Sequence, residues 1–351
     1  MAIINKPNDF FNTLLYSGNN TNNTSITGVG FEPDLTWIKN RNSSGNNCLF
    51  TQMTGLDVAG YLASNSANAF ASDATLFKSF NSDGYTVGTG GNVNDSGRTY
   101  CSWNWKAGTS FSNSAGANGA SIASTGNINT TAGISMITYT GNGASSATLA
   151  HGLTTVPKMM FVKRRDASAS WFVYHQILGA NNQLKLDNQE ASSANQGAWN
   201  NTAPTSSLFT IGTADSVNAN NGTYINYLFS EIPGYSKIDK YTGNGNADGP
   251  IVNCGFKPAF VLVKITTASN ENWMLLDNKR DGFNTQNDQL FPNTNDDEEA
   301  NTEADFLSNG FKLTRANSRM NGAAGNYVFI AFAENPFVTS TGNGSIPTTA
   351  R

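Results

Sequence analysis

Residues able to do chemistry are few in this chain, and their spacing argues against a catalytic centre. The two histidines, His151 and His175, lie far apart, and neither has a neighbouring Cys or Glu at ligand spacing. Each therefore reads as a polar loop or strand-end residue rather than a metal ligand or acid–base group. The three cysteines, Cys48, Cys101 and Cys254, are widely separated and odd in number, which fits neither a disulfide framework nor a metal site. The densest acidic run is Asp296-Asp297-Glu298-Glu299, inside a polar stretch from Asn293 to Thr302 without strand alternation. A solvated loop is expected there, with an opportunistic Ca²⁺ site at Asp296, Asp297 and Glu298 as the alternative. The run from Asp277 to Gly282 has the outline of a cation loop, but Lys279 and Arg280 occupy its middle.

Sandwich-fold glycosidases place carboxylates as Glu-x-Asp-x-Glu on one strand, so that alternate side chains face one cleft. That string is absent, as are a G-x-S-x-G elbow, a Walker loop and a dinucleotide glycine pattern. No enzyme and no organic cofactor is expected. For glycan binding the usual tool is an exposed aromatic flanked by amides. Trp199, followed by Asn200 in the polar loop Asn195 to Asn201, has no aromatic counterpart elsewhere in the chain's internal repeat. These two residues are the candidate ligand platform; the competing reading, and the preferred one, is a loop anchor tucked against a sheet edge.

The elements that must position these residues follow from composition and repetition. Charged residues make up 13% of the 351, aromatics 11%, and the net charge is −4. Many aromatics with little net charge argue against disorder and for short strands joined by Gly, Asn and Ser turns. No basic run is available for nucleic acid, no apolar stretch is long enough for a membrane span, and the first residues lack a signal-peptide pattern.

The chain repeats itself three times. Tyr16-Ser17-Gly18-Asn19 returns as Tyr139-Thr140-Gly141-Asn142 and Tyr241-Thr242-Gly243-Asn244. Apolar runs that open with Pro and end in Lys follow: Pro33 to Lys39, Pro157 to Lys163 and Pro258 to Lys264. Closing strands start at Tyr100, Tyr224 and Tyr327, with apolar residues at alternate positions, as a strand with one face on a core requires. The expected fold class is all-β, three tandem β-sandwiches of jelly-roll or concanavalin type: residues 1–109, 110–233 (opening with a linker and an extra strand or hairpin near Ile122 and Ile128) and 234–340, with a loose tail at 341–351. In register, Cys101 stands where the other copies have Ile225 and Val328, and Cys254 where the first has Val29. The cysteines are thus expected as buried core residues.

Gly30 to Lys39, Ser79 to Gly88, Trp103 to Gly108, His151-Gly152-Leu153 with Pro157-Lys158-Met159, and Ala331 to Phe337 together resemble a family of virion structural proteins of tailed phages, often labelled tail fibre or fibre-like. The resemblance spans nearly the whole chain. It implies sandwiches displayed on a particle assembled in the host cytoplasm, contacts with other virion proteins, a homo-oligomer with a trimer favoured, and contact with the host surface, glycan first. It supplies no catalytic motif. Sandwiches in series would give a rigid rod. The leading expectation is a tail fibre or appendage. Because the first repeat begins almost at Met1 with no shaft before it, a purely structural capsid-decoration or adaptor role stands beside it. A glycan depolymerase ranks last.

Overall fold

The computed structural model describes residues 3–53, 56 and 60–337; the tail expected at 341–351 lies outside them. The protein is all-β, and its helices among these residues are single turns. In the first copy, strands Phe11–Ser17, Thr99–Trp105, Leu35–Asn40, Cys48–Thr51, Gly60–Ala63 and Ala71–Ser72 pair in that order, backed by a small sheet of Thr24–Thr27, Gly84–Val87 and Phe77–Asn81. The second copy pairs Ile134–Thr140, Thr223–Phe229, Met159–Arg164, Phe172–His175, Asn182–Lys185 and Ser193–Ala194, backed by Ala147–Ala150 with Leu208–Ile211. The third pairs Ser236–Thr242, Asn326–Pro336, Phe256–Ile265 and Met274–Asp277. Behind it lie Ile251–Asn253, Gly310–Leu313, Glu299–Leu307 and Gln286–Gln289.

The repeated Tyr-x-Gly-Asn string has one physical explanation in all three copies. Its Tyr stacks on the first Tyr of the closing strand, with ring centroids 5.1, 5.0 and 4.9 Å apart for Tyr16/Tyr100, Tyr139/Tyr224 and Tyr241/Tyr327. Both hydroxyls donate to carbonyls of a one-turn helix, Gly91–Asn94, Asp215–Asn218 or Ser318–Asn321. A buried Asn ending that turn (Asn94, Asn218, Asn321) accepts the backbone N–H of the motif's own Asn. The Gly is required by space. A Cβ on Gly18, Gly141 or Gly243 would sit 2.2, 2.4 and 2.4 Å from a backbone carbonyl oxygen of the loop beyond the turn.

The larger sheet of each copy is covered on both faces. Val261 and Val263 point to the copy's own core between its two sheets, while Phe260 and Leu262 point the other way. That second face is shared: one apolar cluster gathers Trp37, Trp103 and Trp105 of the first copy, Phe161, Tyr227 and Phe229 of the second, and Phe260, Ile330 and Phe332 of the third. The equivalent residues Trp105, Phe229 and Phe332 meet as a triangle, with centroids 6.4, 5.7 and 5.7 Å apart. The expected rod of separate sandwiches is therefore corrected. The alternate apolar residues of the three closing strands bury one another, because no single copy has another layer to cover that face.

The three copies form a closed ring, and each junction repeats the same contacts. The backbone N–H groups of Ala169, Asn270 and Gly45 donate to Ala67 O, Gln189 O and Asn295 O, linking copy two to one, three to two and one to three. In the reverse sense, Phe70, Ser192 and Glu298 donate to Arg165 O, Thr266 O and Arg41 O. The indole N–H of Trp171 reaches Ala63 O, that of Trp273 reaches Lys185 O, and Asn47 fills the same role toward Phe291 O, Pro292 O and Thr294 O. The ends of equivalent strands contact the next closing strand: Thr51 Oγ1 with Tyr227 Oη at 2.7 Å, His175 Nε2–H with Phe329 O at 3.4 Å, and Trp103 Nε1–H with Asp277 Oδ2 at 3.0 Å.

One feature at the junction of copies one and two matters for function. The stretch after Ala107, read as a linker, forms the strand Thr109–Asn113, which pairs with Ser124–Asn129 and extends the second copy's sheet. Among the described residues, copies one and three have no equivalent hairpin.

Candidate binding groove

The sequence-derived candidates are placed as follows. Trp199 is fully buried: it packs edge-on against Tyr174 at 5.8 Å and donates its indole N–H to Asn182 O. The platform reading of Trp199 and Asn200 is corrected. The single turn Gln196–Trp199 rolls the ring inward to fill the second copy's core, and Asn200 binds the Ser146 hydroxyl. His151 and His175 are also buried. Each accepts a backbone N–H at Nδ1 (from Leu153 and Ile177), and Nε2 faces a carbonyl, Thr205 O and Phe329 O. Burial pulls both down to about 4, so they are neutral structural groups near pH 7. All three cysteines are free and buried.

The acidic run does not converge on a cation, and among the described residues no group of His, Cys, Asp or Glu is placed to hold a metal. At Asp296, Asp297 and Glu298, where Ca²⁺ was the alternative to a solvated loop, Asp296 and Asp297 are exposed and Glu298 faces cations at the junction of copies three and one. Glu298 accepts from Arg41 at 2.6 Å and from Arg280 at 2.9 Å, and Arg280, fully buried, also binds Asp277 at 2.7 Å. Asp296 and Asp297 act on the ammonium of Lys39. That Lys39 Nζ is buried without a hydrogen-bond partner among the described residues, whereas its equivalents bridge copies: Lys163 donates to Ala67 O and Ala169 O, Lys264 to Gln189 O and Glu271 O. Nor is the end of the acidic run a loop. Glu299, Asn301 and Glu303 alternate on strand Glu299–Leu307 and line a small pocket. Glu299 is bound to Arg319 and Glu303 to Arg315 and Asn317, so these carboxylates are occupied in holding the turn Ser318–Asn321.

The open site lies where the ring loses its symmetry. The hairpin Thr109–Asn129 stands over the junction of copies one and two and, with the first copy's Pro33 loop, encloses a groove of about 740 Å³. That size is within the range of small-molecule sites, about 300–1,000 Å³. Glu32, Asp34, Gln52, Lys106, Ser110 and Asn127 line it. Asp34 is 3% exposed; it accepts the Ala107 N–H at 2.7 Å and Asn127 Nδ2 at 3.0 Å. The same Asn127 amide reaches Gln52 O at 2.8 Å, and Gln52 Nε2 donates to Glu32 at 2.6 Å. Burial raises the Asp34 carboxyl above its ordinary range. Asp83 fixes the opposite wall by accepting the N–H groups of Gly28 and Gly30, the latter at φ +86°.

Glu32, Asp34, Gln52 and Asn127 are thus each held by a neighbour, which gives a braced polar floor. The nearest aromatic, Phe31, is only 4% exposed, so stacking is not its mode of recognition. A sequence signal for the site did exist. Glu32 and Asp34 flank the repeated Pro where the sister copies carry Val156 with Lys158 and Lys257 with Ala259. The carboxylate pair belongs to the first copy alone. Residues 6–336 match the family described as a domain of unknown function, DUF7483. No curated protein and no solved structure matches the chain.

Proposed function

The chain belongs to the DUF7483 family, and we propose that it is a structural module of a tailed-phage virion surface, a compact three-lobed body that contacts the host rather than an enzyme. The closed ring carries this reading: three sandwich-like copies satisfy one another's backbone and apolar surfaces at all three junctions. Such a body resists local opening, as an exposed particle component must. Both histidines and the carboxylates of Glu298, Glu299 and Glu303 are committed to structural partners, which supports display over catalysis. The threefold arrangement that the resemblance leads one to expect from three chains is met here within one. Cryo-electron microscopy of the intact virion tests the proposal. Three-lobed density projecting from the tail supports it; density buried between head or tail proteins removes the host-contact role and leaves a decoration or adaptor.

A further inference from the structure

We infer that the groove between copies one and two is a saccharide site selective for neutral oligosaccharides. This rests on and deepens the host-contact reading, by naming the residues and the ligand class. Three observations carry it. The groove lies at the junction where the hairpin and the Glu32/Asp34 pair meet, neither of which has a counterpart in the other copies among the described residues, so it is not a by-product of the repeat. Its polar lining is fixed before any ligand arrives: Asp34 is held by Ala107 and Asn127, and Glu32 by Gln52. Asp34 and Asn127 satisfy one another and brace the floor, which leaves the exposed Glu32 carboxylate, the second Gln52 N–H, the Lys106 ammonium and the Ser110 hydroxyl to meet adjacent hydroxyls of a sugar ring as acceptors and donors together.

The class of ligand follows from charge. Two carboxylates stand against the single ammonium of Lys106 among the lining side chains. A uronate or other acidic sugar would bring like charge to Glu32 and Asp34 in a partly desolvated cleft and be rejected. A peptide or lipid would need exposed apolar surface, and Phe31 and Met53 are buried. A divalent cation would need three or more converging ligands, and no such group occurs among the described residues. Without a stacking ring the affinity per site is expected to be weak, about millimolar.

The test uses the full chain, titrated by saturation-transfer NMR and calorimetry with maltotriose, chitotriose and trigalacturonate as probes. Ser110, exposed at the groove mouth, is replaced in Ser110→Trp to fill the entrance. Val156, 45% exposed at the Glu32-equivalent position of the second copy, gives the control Val156→Trp. The expected result is binding of a neutral probe by the unmodified chain, at least about tenfold weaker in Ser110→Trp and unchanged within about twofold in Val156→Trp. Both variants should keep the parent's circular dichroism and Tm. Failure of both neutral probes to bind the unmodified chain at about 10 mM overturns the inference. So does tighter binding of trigalacturonate, or undiminished binding in Ser110→Trp. None of these results bears on where the protein sits in the virion, which imaging decides separately.

Discussion

Truncating Phe332 distinguishes a shared core from three separate ones. The ring is 2% exposed and lies 5.2 Å from Phe11, 5.7 Å from Trp105, 5.7 Å from Phe229 and 5.9 Å from Phe260, so it touches every copy. A buried Phe→Ala change costs about 3–5 kcal/mol through lost transfer energy and the cavity left behind. How far that lowers Tm depends on how much of the chain unfolds together. At about 2.1 cal/mol/K per residue, a single cooperative unit of this length has an unfolding entropy of about 0.7 kcal/mol/K, giving a shift of roughly 4–7 °C. If the third copy unfolded alone, its roughly threefold smaller entropy would give a shift of about 12–21 °C, confined to that copy. Differential scanning calorimetry reads the difference, and hydrogen exchange locates it. Phe332→Ala is expected to keep one transition and to lower protection in Trp103–Trp105 and Tyr227–Phe229 as well as in its own strand. Two transitions, with protection lost only beyond residue 234, would refute the shared-core argument.

Four further outcomes follow from the junctions. Lys39→Met removes a buried ammonium that has no hydrogen bond among the described residues and is expected to be neutral or stabilising; Lys163→Met takes the Nζ donor from Ala169 O and leaves Ala67 O with the Ala169 N–H and the Ser168 hydroxyl, and should cost about 1–3 kcal/mol by urea unfolding. Arg280→Met strips the buried Asp277 of its cation and leaves Glu298 with Arg41, and should cost about 3–5 kcal/mol, with equal stability in the variant contradicting the assignment. His175 is pulled down to about 4 in the folded protein by burial. The unfolded chain therefore takes up a proton first as pH falls below about 6.5, and stability is lost from there down to about 4, by up to about 3 kcal/mol. Denaturant titrations across that window should show a shallower decline in His175→Gln; an unchanged slope would sink the linkage.

Much of the fold was legible because each copy obeys the same local constraints. The Tyr-x-Gly-Asn string marks a turn clamped by two stacked tyrosines and a buried Asn, with no room for a Cβ at the glycine. Period-two alternation at Cys101, Trp103 and Trp105 marked a one-sided core face. Trp199 was ambiguous because a lone aromatic in a polar loop has the same sequence whether the turn before it points in or out. The pairing of Glu298 was not legible for a related reason: its counter-charge Arg41 lies 257 positions away, and Arg280, 18 away, sits in a separate loop.

The amino-acid order by itself determined the all-β class, the threefold repetition, the strand faces and the burial of the cysteines, since these depend on periodicity and on spacing within a copy. Only the tertiary structure decided that the copies close into a ring, that their alternating apolar faces meet in one core, and that a hairpin over one junction leaves a polar groove. Those features depend on contacts between residues about 70 or more positions apart. A one-dimensional pattern specifies that an apolar face must be covered, but not which distant surface covers it.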